Sequence, residues 1–280
     1  MTTGSDNVKE LISLLQGLDA SGVFEVTIPS LEREVKFKQL TTEQLKRLLK
    51  TIIDSPIYNT EFTITFNSII KENCAEGDVR VDDLTVIDKL LIFFKTRIES
   101  ISPEYTFNFT EEEIGENNLD EKTKTVNIQQ HFNSFCNTLK NLPSETINYN
   151  NCTIVCNLPT IATENRLEKE LHKNVKIEVT STDELRNIVG ETFINELTKF
   201  ITSVSINDTA VDLVSLDFKT RIKVIENLPT AAINGVIKYI EKYRNTIKDL
   251  TTYKLSVKTK EQTDTSLVKD IPVDASFFNM

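Results

Sequence analysis

Tryptophan is absent from the chain, and glycine occurs only seven times in 280 residues. So few glycines argue against a many-turned barrel and leave little material for loops that cradle phosphate. No window has the Walker A or dinucleotide-binding spacing. Long apolar runs are also missing: the longest, Leu90–Phe94, falls far short of the ~20 residues that a membrane span requires. Basic clusters are lacking as well. Acidic residues outnumber basic ones 42 to 32, the net charge is −10, and no run of Lys and Arg exceeds two neighbours. Electrostatics therefore oppose nonspecific binding to nucleic acid. Four cysteines (Cys74, Cys136, Cys152, Cys156) are too few for a disulfide framework in a chain of this length, so a reducing cytoplasm is the expected compartment. The opening MTTGSDNVKE has neither a basic n-region nor an apolar h-region, so no secretory leader is expected. On that reading the Asn-x-Thr triplets at Asn108, Asn151 and Asn207 carry no glycosylation signal.

What is present is helix and hairpin patterning in a soluble composition, 39% hydrophobic and 26% charged. The centre of the pattern is Leu84–Ile101. Leu84, Ile87, Leu91, Phe94, Ile98 and Ile101 recur at spacings of three and four, which places them on one helical face. Leu90 and Phe93 widen that face, so this helix should be covered on more than one side. Asp82 and Asp83 are its candidate N-caps, and Lys95 and Arg97 lie near its end, where the helix dipole favours cations.

Upstream, Val8, Leu11, Ile12, Leu15 and Leu18 form a short amphipathic segment that either docks on a neighbour or packs on its own domain. Val23–Ile28 and Glu34–Phe37 alternate as a hairpin about Pro29-Ser30. Thr41 and Gln44 have capping-box spacing before a helix whose stripe is Leu45, Leu48, Leu49, Ile52 and Ile53, with Pro56 as its stop. Phe62–Cys74 reads as a second helix.

Downstream of the central helix, Tyr105, Phe107 and Phe109 alternate as a strand. The acidic run from Glu111 to Glu121 reads as a solvated loop, and residues 126–139 as a helix. Thr146–Leu158 reads as a hairpin turning at Asn150-Asn151. A short helix around Leu167–Leu171 and a strand at Val175–Val179 follow. Ser181 or Thr182 then caps a helix running through Ile201, and Leu216–Leu228 and Pro229–Ile247 are two more. Thr252–Lys258 and Leu267–Val273 make a final hairpin before Phe277-Phe278. The pattern predicts an α+β fold, mostly helical, with N-terminal, central and C-terminal β-hairpins and no internal repeat. It divides into residues 1–110, a hairpin with helices; 111–180, the acidic stretch, a helix and the central hairpin; and 181–280, helices ending in a hairpin and the double-Phe tail.

Convergent catalytic chemistry is hard to find. Cys152-x-x-x-Cys156 could supply two zinc ligands, but neither His131 nor His172 belongs to a second ligand pair. In a strand, residues four apart are roughly 13 Å apart. Cys136 and His131, five apart on one helix, fall about 500° apart in phase, on different faces. Neither a Gly-x-Ser-x-Gly elbow nor a His-Glu-x-x-His stretch occurs. The consecutive Glu111, Glu112 and Glu113 cannot converge as an acid–base couple by themselves. No catalytic residue, cofactor or metal is therefore expected. The candidate partner-binding residues are Leu11 and Leu15 in the N-terminal segment and Phe277 and Phe278 in the tail; the two phenylalanines either fold back on the core or anchor a partner.

Several ordered stretches resemble a family of baseplate hub proteins from T-even-type contractile-tailed bacteriophages. Val26-Thr-Ile-Pro29-Ser30, then Val35-Lys36-Phe37, then Glu43-Gln-Leu-Lys46-Arg-Leu48-Leu49 is similar to the family's opening hairpin and helix. Val86-Ile-Asp88-Lys-Leu-Leu-Ile-Phe93-Phe-Lys-Thr-Arg97-Ile-Glu-Ser100 resembles its segment with an Asp, an apolar stretch and an Arg followed by Ser three residues on. Ile154-Val-Cys-Asn-Leu158-Pro159-Thr160 and the terminal Phe277-Phe278 resemble its Pro-Thr strand end and its double-Phe ending. Members often carry cysteines in the C-terminal hairpin, which suggests a small zinc-ribbon-like element. Thr251–Val273 has none, so no metal is carried over to this chain. The resemblance implies a non-catalytic structural or assembly component of the baseplate hub, made in the host cytoplasm and built into the virion tail. Its partners would be other hub and tail proteins, not nucleic acid or membrane. A transient tail assembly chaperone absent from the mature particle, and a Cys-dependent metal-binding or enzymatic protein, are the alternatives. On this view removal of the double-Phe tail should leave the fold intact and weaken assembly.

Overall fold

The computed structural model describes residues 22–54, 60–174, 182–207, 209–261 and 263–279. Strands β1 (Val23–Ile28) and β2 (Arg33–Lys38) pair antiparallel, with Val26 opposite Val35 and Phe24 opposite Phe37. Their alternation turns Phe24, Val26, Ile28, Val35 and Phe37 inward and leaves the polar set in water. The turn between them is tied to the middle of the chain: the Ser30 amide donates to Asp88 Oδ1 at 3.0 Å.

Helix α1 (Thr42–Asp54) begins with the expected reciprocal cap, the Thr41 amide to Gln44 Oε1 at 3.0 Å and the Gln44 amide to Thr41 Oγ1 at 3.2 Å. Its stripe is narrower than the spacing suggests. Leu48 is buried, but Ile52 is 43% exposed. Pro56 lies outside the described residues. Helix α2 (Thr60–Asn73) follows.

Helix α3 (Val86–Ser100) is the central element, and eleven of its fifteen residues are buried. Asp82 and Asp83 do not cap it; they sit in a single 3₁₀ turn, Val81–Asp83. The cap is Thr85, whose hydroxyl accepts from the Asp88 amide while the Asp88 carboxylate accepts from the Thr85 amide at 2.7 Å. Because the other Asp88 oxygen holds Ser30, one buried carboxylate fixes both the start of α3 and the tip of the first hairpin.

The acidic run is not an open loop. After β3 (Glu104–Asn108), Glu111–Glu116 forms a short helix, α4, closed by a capping box between Thr110 and Glu113. Three charges at its N-terminus suit the helix dipole. The residues 126–139 read as helix are in fact split. Val126 belongs to β4 (Thr123–Asn127), paired with β3, and helix α5 spans only Ile128–Phe135. Strand alternation Lys124-Thr-Val126 runs straight into the helical stripe, and periodicity cannot mark the join.

The second half builds a four-stranded antiparallel sheet in the order β5-β6-β7-β8. Strands β5 (Glu145–Tyr149) and β6 (Cys152–Cys156) are the central hairpin, with Asn150 at φ 50° in its turn. Helices α6 (Ile161–Asn174) and α7 (Thr182–Phe200) intervene. Ile201 does not extend α7. It opens β7 (Ile201–Ile206), which pairs with β6 and with β8 (Thr209–Asp212). The Val175–Val179 strand lies outside the described residues. Helices α8 (Phe218–Glu226) and α9 (Thr230–Thr251) complete the helical set. Gly235 lets α9 settle on the sheet, since a Cβ there would come within 2.6 Å of Ile147 Cγ2.

The chain ends in the hairpin β9 (Thr252–Lys258) and β10 (Asp264–Asp270). This hairpin covers the acidic stretch: Lys269 bonds Glu113 at 2.6 Å, the Asp120 amide reaches the Lys258 carbonyl at 3.1 Å, and Leu119 is buried beneath. Asp274 then caps a last turn, Ala275–Phe278. The result is α+β, with one hydrophobic cluster that runs from Phe24 to Phe278.

Phe277 and Phe278 are both fully buried. Phe93 touches Phe277 with ring centroids 5.0 Å apart and Phe278 at 5.2 Å, while Phe66 and Phe94 complete the cluster. An intact fold without this tail is therefore not expected. Phe277→Ala should cost about 3–5 kcal/mol through lost burial and the cavity left behind, measured as a fall in urea midpoint with unchanged slope.

Candidate functional site

Three groups of buried or half-buried charged side chains stand out among the described residues. The first is Arg97, 3% exposed, at the C-terminal end of α3. Its Nε donates to the Phe277 carbonyl at 2.8 Å, Nη2 to the Glu104 carbonyl at 2.9 Å and Nη1 to the Ser102 carbonyl. Its carbon centre lies 5.7 Å from the Phe277 ring and 6.0 Å from the Tyr105 ring. Burial lowers its pKa, and the carbonyl dipoles satisfy its donors. The dipole argument from sequence found the right residue. The signal it missed is that Arg97 follows Phe93 by one turn, on the buried side.

The second place is an ion-pair network joining α2, α3, α6 and α7. Glu164, 7% exposed, pairs with Lys89 and accepts from Asn67 at 3.2 Å. Lys199 pairs with Glu168 at 2.7 Å, and Glu168 also accepts from the Thr60 hydroxyl at 2.7 Å. Burial pushes the Glu164 carboxyl upward, but Lys89, Lys199 and its hydrogen bonds outweigh that and hold it below the usual carboxylate range. Burial likewise opposes the Lys199 charge, and the surrounding carboxylates of Glu168, Glu196 and Glu164 more than restore it. Tyr243 is held protonated, chiefly by burial. A cavity of about 260 Å³ opens onto Lys89 and Glu164 between Phe62, Phe93 and Tyr243. None of the three shifted groups is brought toward neutrality, as general acid–base catalysis needs. The network fixes helices.

The third place is the pair Arg166 and Arg221, which line a smaller cavity with Leu167, Leu216 and Phe218.

The residues weighed for chemistry are dispersed. Cys152 and Cys156 are buried on β6, and burial raises both thiols, Cys156 to about 12. His131 Nε2 lies 2.9 Å from the Leu250 carbonyl, and its ring is held against Tyr253 and Phe135. Burial lowers its pKa. Cys136 turns to the Asn133 carbonyl, with its pKa raised by burial. The side chain of His172 lies outside the described residues. Among the described residues no three His, Cys, Asp or Glu side chains are grouped to hold a metal. No helix among them is long and apolar enough to cross a membrane.

Of the partner-binding candidates, Leu11 and Leu15 lie outside the described residues, and Phe277 and Phe278 offer no surface because both fold back on the core. Among the described residues the most exposed large apolar side chains are Val268 (67%), Phe193 (48%) and Ile206 (48%). A polar groove of about 850 Å³ runs along β3, lined by Tyr105, Thr106, Asn108, Ser276 and Asn279. Among the described residues β3 pairs with β4 on one side only.

A family model described as T4 bacteriophage base plate protein matches residues 22–273. The chain belongs to this family. No curated protein and no solved structure matches it. As a T4-type base plate protein it is a structural component of the phage tail. The matched span opens at the first hairpin and closes just before the Asp274-capped turn.

Glu164→Gln should therefore destabilise the folded chain by about 3–5 kcal/mol at neutral pH, because Lys89 is left buried without its carboxylate. The folded pKa of Glu164 is depressed, so its contribution exists above the ordinary Glu pKa of about 4.3 and is lost as pH falls through the folded value. The variant should lose less stability than the parent between pH 5 and about 3, read by urea titration at each pH. Cys152 and Cys156 should resist iodoacetamide at pH 8 in the native protein and react once it is unfolded. Ready native labelling at these two positions, read by peptide mass spectrometry, would contradict the burial of β6.

Proposed function

We propose that this base plate protein is a component of the baseplate hub and works without catalysis, through its interfaces with other hub and tail proteins. The observation that carries the reading is the family match across residues 22–273, joined to the ordered resemblance of the first hairpin, the α3 segment, the β6 end and the double-Phe tail to T-even hub proteins. Buried charge committed to holding helices supports a building block over a catalyst. Exposed apolar side chains at Phe193, Ile206 and Val268, and a free strand edge on β3, are what a subunit contacted on several sides presents.

Leu11 and Leu15 are the partner residues of this proposal, on the amphipathic face of residues 8–18. Phe277 and Phe278 act one step behind the surface, by holding α2 and α3 beneath it. Assembly takes place in the host cytoplasm, with neither nucleic acid nor membrane as a ligand.

Mass spectrometry of purified tails, followed by a particle map, tests the proposal. The expected result is this chain at the tail axis, in stoichiometric amount. Abundance in infected cells with absence from finished tails would replace the structural role by that of an assembly chaperone. Leu11→Ala combined with Leu15→Ala should lower incorporation into tails while leaving the melting temperature unchanged. Unaltered incorporation would remove these two residues from the interface.

A further inference from the structure

Arg221 is the largest fully buried side chain of the described residues, at 0% exposure. Its Nη2 donates to the Ile201 carbonyl at 2.8 Å and to the Thr198 carbonyl, which accounts for both hydrogens on that nitrogen. Nε and Nη1 are buried and have no partner. A guanidinium carries five N–H donors, so three of them are unmet. Arg166, from α6, repeats the pattern: its Nη1 donates to the Val214 carbonyl, and its Nη2 is buried without a partner. Both side chains line one cavity of about 130 Å³, walled by Leu167, Leu216 and Phe218.

Arg97 shows how this chain treats a buried guanidinium when nothing else is to bind: all three nitrogens reach carbonyls. At Arg166 and Arg221 two cations are instead brought together with donors left bare. Like charges brought together in apolar surroundings repel, and burial penalises each further. The Arg221 pKa is pushed down to about 10 by burial, with Arg166 adding to the effect and Asp212 opposing it, so Arg221 remains charged at neutral pH. The acidic residues at the cavity are engaged elsewhere. Glu170 pairs with Lys173 at 3.3 Å, and Asp217 caps α8 through the Thr220 amide at 3.1 Å and its hydroxyl at 2.6 Å. Water could meet the bare donors, but it brings no charge of its own to set against the two cations, which Asp212 offsets only in part.

We propose that the Arg166–Arg221 cavity is an oxyanion site, which takes one phosphate or carboxylate group between the two guanidinium planes. Guanidinium donors match both ligands through charge-assisted hydrogen bonds, and Leu167, Leu216 and Phe218 make part of the lining apolar. The volume admits a single such group. A free phosphate ion, or the carboxylate of an acidic side chain inserted by an adjoining tail protein, carries the same chemistry.

Calorimetric titration of the full chain with inorganic phosphate, and in parallel with acetate as a carboxylate probe, decides the matter at constant ionic strength. The melting temperature is followed against chloride controls. Phosphate or acetate should bind saturably and raise the melting temperature. Arg166→Gln, at a half-buried position where folding is expected to survive, should weaken that binding by at least about tenfold, the loss of one charged hydrogen-bonding partner. Glu170→Gln should strengthen it, by removing one negative charge from the cavity lining. Saturable binding of phosphate would assign the site to a free anion. Acetate binding with phosphate excluded would assign it to a partner's carboxylate. Absence of saturable binding by either probe, or binding that Arg166→Gln leaves unchanged, would overturn the proposal.

Discussion

The contact on which this fold depends is the seating of Phe277 and Phe278 against Phe93 in α3, locked by the Arg97 Nε bond to the Phe277 carbonyl across 180 residues of sequence. Each partner needs the other. Without the tail, Phe66, Phe93 and Phe94 would face water, and Arg97 would lose one of the carbonyls that make its burial tolerable. Without α3, a double-Phe end would be an exposed adhesive patch. The three hairpins and the four-stranded sheet are arranged around this closure: Asp88 pins the first hairpin to the start of α3, and Lys269 pins the last hairpin to α4.

Much of this was legible in the sequence, for a physical reason. Helices α1, α2, α3 and α9 each keep one uninterrupted period, and the β1–β2, β5–β6 and β9–β10 hairpins each alternate around a turn whose residues suit it. The capping box of Thr41 and Gln44 could be read directly. What could not be read were junctions where one period passes smoothly into another. Ile201 satisfies both the stripe of α7 and the first position of β7, and Val126 sits in a strand that abuts α5. The Asp82-Asp83 pair resembles a cap in composition, but the chain places those residues in a 3₁₀ turn. The short α4 helix was hidden because its residues are charged on all sides, with no stripe for a periodicity argument to detect.

The interior polar chemistry was less legible than the fold. Glu164, Lys199 and Arg221 lie in stretches whose charges look solvated one by one, and only the packing of α6 against α2 and α7 shows that they are enclosed. The family resemblance pointed to a tail protein, and the sequence left Phe277-Phe278 open between folding back on the core and anchoring a partner. In this structure both rings fold back and are fully buried. Among the described residues the buried charges are of both signs, Asp88, Glu164 and Glu168 beside Arg97 and Arg221.

Phe277 lies 180 residues beyond the Arg97 that holds it. A ribosome must pass Phe278 before Phe93 can meet its partners, so shorter nascent chains and fragments that stop before it remain unable to complete their core. Contacts so distant along the chain are slow to form. Synthesis therefore supplies the closing piece only after every helix and hairpin that it joins.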